Sequence, residues 1–162
     1  MKELREFFRE LDEDGDGFIS VDRLVGAMGM TDEDADKMIR EWQGGGASSA
    51  MWCPCGAHIL FDADPCSENS YSMGDLGRGA LYAPSAVVTK NLRFAAPLKQ
   101  EMRSGTKIIR DAHCSACGQQ LGWKYDEGLP DQTGNICLSV DILHINYDEF
   151  VKMMSWVLRQ VA

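Results

Sequence analysis

The sequence predicts an α+β protein in which a small helical domain is interrupted by a mainly antiparallel β domain. Three observations point to it. Apolar residues recur at helical spacing near both ends of the chain, as Leu4, Phe7, Phe8 and Leu11 and again as Phe150, Val151, Met153, Met154 and Val157. Between them, short β-rich runs such as ALYA, SAVVT, TKIIRDAH and NICLSVDI alternate with Gly, Pro, Asp and Ser turns. Charge is also unevenly spread: residues 1–43 hold 13 acidic and 6 basic side chains, 44–143 hold 10 and 8, and 144–162 hold 2 and 2. The total of −9 over 162 residues disfavours nucleic acid or an anionic membrane surface as a partner, because both are gripped by a basic face. No apolar run approaches the ~18 residues of a membrane span, and the start MKELREFFRE is too charged for a signal peptide. The expectation is a soluble intracellular protein, cytoplasmic and/or nuclear. Its six cysteines are then metal ligands or buried thiols rather than disulfides.

Residues 2–11 read as an amphipathic helix that runs into DEDGDGFISVDR, residues 12–23. Asp12, Asp14 and Asp16 stand at loop positions 1, 3 and 5, and Gly17 at position 6 supplies the sharp turn. Phe18 at position 7 offers its carbonyl, Ile19 is apolar, and Ser20 takes position 9. Oxygen ligands at alternate positions around a tight turn suit a hard cation such as Ca²⁺. The segment resembles the EF-hand family, with one departure. Where the family places a bidentate Glu at position 12, this chain has Arg23, with Asp22 one residue out of register. Losing two oxygens and gaining a cation predicts weak Ca²⁺ binding, at about 10⁻⁴ M or weaker, or a loop that keeps its shape without metal.

After the Leu24, Val25, Met28 helix, Thr31 caps TDEDADKMIREW, which looks like the entering helix of a calmodulin-type second hand. No calcium loop follows; the chain breaks into the flexible GGGASSA, with 44–49 as the linker. The matching exit half is INYDEFVKMM, residues 145–154, where Ile145 fits the position that would pair with Ile19 and Glu149 fits position 12. Counting back, positions 1, 3 and 5 are Leu138, Val140 and Ile142, so this hand is expected to be metal-free. The second hand thus reads as split by an insertion, giving 1–43 and 144–162 as the hand pair and 50–143 as the inserted domain. The alternative is an ordinary C-terminal helix with a chance likeness.

Two cysteine knuckles bracket the insertion: WCPCGAH with Cys53 and Cys55, and HCSACG with Cys114 and Cys117. Four thiolates suit tetrahedral Zn²⁺, and the metal would close the 58 residues between the knuckles into one loop. The first knuckle is one residue short of Cys-x-x-Cys, which leaves His58 or His113 as an alternative to Cys53. The stretches CGAH, GRGALYAPSAVVTK and RDAHCSACGQQLGWKYD resemble the Yippee family of zinc-binding proteins. That resemblance implies a β-tent zinc fold, shared with the ligand-binding domain of cereblon and with methionine sulfoxide reductase B. It also implies a non-enzymatic interaction module for protein partners, in some cases around ubiquitin ligases.

The reductase is the second reading, because CSACGQQLGWKYDEGLPDQTG looks like its second knuckle and Cys137 falls near its catalytic cysteine. Against it, Trp123 stands where the reductase has His, Asn135 where it has Arg, and its tryptophan-bearing segment has no counterpart. Cys137 lies between Ile136 and Leu138 in an apparent strand, the setting of a buried structural thiol. Trp123 is the candidate wall of a ligand pocket of the cereblon kind, although the other two tryptophans of that cage have no match; the other expectation places it in the core over the knuckle. Cys66 has no partner at metal spacing. The C-terminal segment from Phe150 to Val161 carries more apolar surface than one helix stripe needs. The surplus either packs against the β domain or forms a methionine-lined groove for a partner helix.

Overall fold

A computed structural model describes residues 2–35, 37–38, 49–63, 65–66 and 71–161. Helix α1 (Lys2–Leu11) turns Phe8 and Leu11 into the core and its charges outward, as the helical spacing of its apolar residues requires. It leads through the acidic loop into strand β1 (Phe18–Ser20) and helix α2 (Val21–Ala27), whose N-cap Ser20 accepts the Arg23 N–H at 3.0 Å. Thr31 caps the next helical stretch, its hydroxyl accepting the Asp34 N–H at 3.1 Å, and residues 32–35 and 37–38 are helical. The rest of that expected helix and most of GGGASSA lie outside the described residues; Ser49 already belongs to a strand.

The strands that follow are β2 (Ser49–Trp52), β3 (His58–Ala63), β4 (Tyr71–Ser72), β5 (Arg78–Tyr82), β6 (Leu92–Phe94), β7 (Leu98–Met102), β8 (Gly105–Cys114), β9 (Gln120–Glu127), β10 (Ile136–Ser139) and β11 (His144–Asn146). Helix α3 (Tyr147–Val161) closes the chain. Among the described residues every ladder is antiparallel. One sheet has the order β4-β5-β10-β9-β8-β6, with β7 also paired to the long β8. The other runs β1-β11-β2-β3. Ile19 faces Ile145 in its first ladder, as expected, and His144 faces Trp52 in its second. The hand's short ladder therefore continues directly into the strand that carries the first cysteine knuckle.

Two β-rich runs fold differently from expectation. SAVVT is no strand: 3₁₀ turns at Pro84–Ala86 and Thr89–Asn91 flank it, and Val87 makes a single bridge to Leu60. Pro84 has no N–H to give a ladder, and Ala86, Val87 and Val88 are all buried instead of alternating. NICLSVDI is strand only to Ser139, whose hydroxyl bonds the Leu76 carbonyl and accepts the Ile142 N–H, turning the chain toward β11.

The larger apolar core runs from Phe8, Leu24, Met38 and Ile145 through Met51, Cys53 and Ile59 to Tyr82, Leu121 and Ile136. Helix α3 contributes Phe150, Met153 and Met154, and its Phe150 ring meets Phe7 and Phe8 at 5.9 and 5.3 Å. Leu138 and Val140, the residues counted back to positions 1 and 3 of the expected second hand, are buried there too, and Ile142 packs against it. Glu149, its position 12, is buried and ion-paired with Lys152 at 3.2 Å. Arg78 ties the helical and β parts polarly: it pairs with Asp141 at 2.8 Å and reaches Asp32 at 3.1 Å. A smaller cluster on the large sheet gathers Met73, Leu81, Ile109, Tyr125 and Cys137.

Candidate functional site

The two knuckles are tight turns at the ends of strands. In the first, the Cys53 N–H bonds the Ala57 carbonyl and the Gly56 N–H bonds the Cys53 carbonyl, both at 2.8 Å. In the second, the Cys114 N–H bonds the Gln119 carbonyl and the Gly118 N–H bonds the Cys114 carbonyl, again at 2.8 Å. Each turn needs a left-handed residue, supplied by Gly56 at φ 97° and Gly118 at φ 82°. The first knuckle closes every one of these bonds one residue sooner, so Cys-x-Cys and Cys-x-x-Cys present their sulfurs alike.

The result is a compact sulfur cluster. All four Sγ atoms lie within 4.8 Å of one another, with Cys53 to Cys117 at 3.5 Å and Cys55 to Cys114 at 3.6 Å. A tetrahedron with metal–sulfur bonds of about 2.3 Å has edges of about 3.8 Å, so this donor set fits one tetrahedral ion. Cys53 and Cys114 are buried, Cys55 and Cys117 exposed. Burial pushes the Cys53 and Cys55 thiols up, while at Cys114 desolvation is outweighed by backbone N–H bonds from Cys117 and Ala116 and the thiol is lowered. Without a cation burial holds the Cys53 sulfur as a thiol; a bound cation would turn it into a ligand. Neither histidine joins the cluster among the described residues: His58 Nε2 is 2.8 Å from the Leu60 carbonyl, and His113 Nδ1 is 3.1 Å from the Gly118 carbonyl.

The acidic loop is the second cluster. Oxygens of Asp12, Asp14 and Asp16 lie within 4.8 Å of one another. Gly17, at φ 87°, donates its N–H to Asp12 at 2.9 Å, and Phe18 donates to Asp16 at 2.9 Å. The Asp14 carboxyl is held below the usual range by the backbone N–H of Asp16, whereas burial raises Asp16. Ser20 Oγ is already engaged by the Arg23 N–H. Arg23 pairs with Glu13, the residue at loop position 2. Beside the loop lies a cavity of about 180 Å³ lined by Glu13, Asp14, Ser20, Arg23 and His144, among others. Burial lowers His144 despite Asp16, Asp14 and Asp12 nearby.

The remaining candidates fall elsewhere. Cys137 is fully buried in β10, and desolvation drives its thiol far up, the reverse of what a nucleophile needs. Trp123 packs edge-on to Tyr125 at 6.4 Å against the smaller cluster, on the side of Cys137 rather than over the knuckle, whose Cys53 and Cys114 belong to the main core. Cys66 Sγ donates to the Leu81 carbonyl at 3.4 Å.

Motif spacing did not reveal a row of rings joining the two clusters. Phe18, Trp52, His58 and Phe61 follow one another at 5.3, 5.1 and 5.4 Å between centroids, from loop position 7 to the strand beyond the first knuckle. No local spacing marks it, because it is assembled by pairing β11 with β2.

The model of the EF-hand domain family matches residues 3–37. Among solved structures, that of the Mis18 "Yippee-like" domain matches at 19% identity with a TM-score of 0.42, covering 59% of this chain and 92% of that one. Among curated proteins, none matches the chain.

Proposed function

We propose that the chain is a non-enzymatic, metal-binding interaction module: a Zn²⁺-stabilised β domain, residues 50–143, carried within an EF-hand pair formed by 1–43 and 144–162. The observation that carries it is the convergence of four cysteine sulfurs from two separate turns at the edge of a tetrahedral metal site. Cys53, Cys55, Cys114 and Cys117 would hold the ion, which closes the long loop between the knuckles and stabilises the fold. Such a centre needs reduced thiols, which suits a cytoplasmic or nuclear location.

The first hand is a weak Ca²⁺ site at best in this reading, with Asp12, Asp14, Asp16, the Phe18 carbonyl and Ser20 as its donors and no oxygen from position 12. Partner binding is the expected output, and ubiquitin-ligase association is the family-derived form of it. The test is cobalt substitution. Co²⁺ added to the metal-stripped chain should give the absorption of a tetrahedral tetrathiolate, and Cys53→Ser should shift it to a three-sulfur spectrum. An octahedral spectrum, or one unchanged in Cys53→Ser, overturns the assignment.

A further inference from the structure

Strand β7 is an open edge of the large sheet. Among the described residues it pairs with β8 alone, and Leu98, Lys99, Gln100 and Glu101 are all exposed, Leu98 at 45%. A two-residue turn, Arg103–Ser104, joins the two strands and sets Met102 opposite Gly105. Such a turn is closed by a hydrogen-bonded pair, and bonded and non-bonded pairs alternate from there. Met102, Gln100 and Leu98 therefore spend their backbone groups on β8. The N–H and C=O of Lys99 and Glu101 point outward, and among the described residues no strand receives them.

An edge of this kind accepts another strand, and its bonding and charges together select which one. In an antiparallel pair, outward-facing residues must sit opposite outward-facing residues, so a second copy of β7 has few registers open to it. Centred on Lys99, the pairing sets lysine against lysine and puts Pro97, which has no N–H, opposite Glu101. Centred on Glu101, it sets glutamate against glutamate and Lys99 against Arg103. Centred on Gln100, every position is complementary: Lys99 of each copy faces Glu101 of the other, Leu98 faces Met102, and Gln100 faces Gln100. Both ion pairs then lie on one face, where the Thr106 hydroxyl donates to the Glu101 carboxylate at 2.6 Å. Both apolar pairs lie on the other, where Met102 already packs against the cluster of Ile109, Tyr125 and Cys137. A strand of another protein that is apolar, or charged with one sign, would leave Lys99 or Glu101 unmatched. The acidic excess of residues 1–43 belongs to segments outside this sheet. We infer that β7 pairs with β7 of a second copy, antiparallel and centred on Gln100, so that two large sheets join across a two-fold axis. Five residues make a small contact, and the dimer is accordingly weak and reversible. It is separate from the partner binding proposed above and needs no Ca²⁺.

The test is sedimentation velocity on the full chain, with zinc present in calcium-free buffer, from about 10 μM to about 1 mM. The sedimentation coefficient should rise with concentration toward that of a dimer, and amide NMR shifts over the same range should centre on Leu98–Met102. Lys99→Glu and Glu101→Lys should each weaken self-association at least about tenfold, because each turns both ion pairs into like-charge pairs. An equimolar mixture of the two variants should recover it, since lysine then faces glutamate at both positions. A chain that stays monomeric throughout, a dimer that neither variant weakens, a mixture that fails to associate, or shifts centred on helix α3 would each overturn the proposal. Zinc content measured on the same samples keeps its failure separate from failure of the metal-binding reading.

Discussion

Arg23 decides the first hand. Its side chain stands at the position that should supply two oxygens, and it pairs with Glu13 of the same loop. Arg23→Glu should therefore tighten Ca²⁺ at least about tenfold, read by calorimetry, since it adds the missing carboxylate and removes a charge that opposes the ion. An unchanged affinity would mean that the loop cannot close around a metal. Tyr125 offers a second test. It is 1% exposed, and burial pushes its phenol up to about 12 from an ordinary value near 10. The folded state keeps this proton more tightly than the unfolded chain, so the stability linked to it is complete below pH 10 and is lost as pH rises through about 12. Tyrosinate absorbance should show a late-titrating component that disappears in Tyr125→Phe. At this scale the sequence is most informative. The loop residues and the knuckle cysteines are legible because their chemistry depends on neighbours within a dozen positions. The surplus of one residue between the knuckles is resolved only by the backbone bonds, where the Cys53 turn closes earlier than the Cys114 turn.

The elements show where local patterns fail. TKIIRDAH becomes the long β8, because alternation and β-branched residues agree. SAVVT has the same composition, yet Pro84 and continuous burial make it a turn-flanked core segment. β11 is three residues long and carries almost no propensity of its own, but it holds the sheet together by pairing with β1 on one side and β2 on the other. β9 and β10 approach so closely at Gly122 that a Cβ there would run into the Cys137 carbonyl. Gly122→Ala must part the two strands and should lower stability by about 1–3 kcal/mol in urea denaturation. A neutral result would mean that this ladder is looser than its register implies.

At the scale of the whole molecule, the helical ends, acidic at the front and neutral at the back, and the near-neutral β centre are joined more closely than the idea of a loop insertion suggests. They share an apolar core, a four-stranded sheet and the Arg78 pair with Asp32. Composition could separate the two parts, since charge and periodicity change along the chain. It could not show the seam, because every contact across it joins residues far apart in sequence. The sulfur cluster sits on one side of that seam and the acidic loop on the other, with the ring file between them. The central claim is that four cysteines hold one ion and thereby hold the β domain. Native mass spectrometry of the intact chain, with zinc supplied and calcium titrated to millimolar levels, tests it most directly. One Zn²⁺ should persist and be lost in a Cys114→Ser, Cys117→Ser double variant, with no more than one weakly held Ca²⁺. A folded chain that carries no zinc would contradict it.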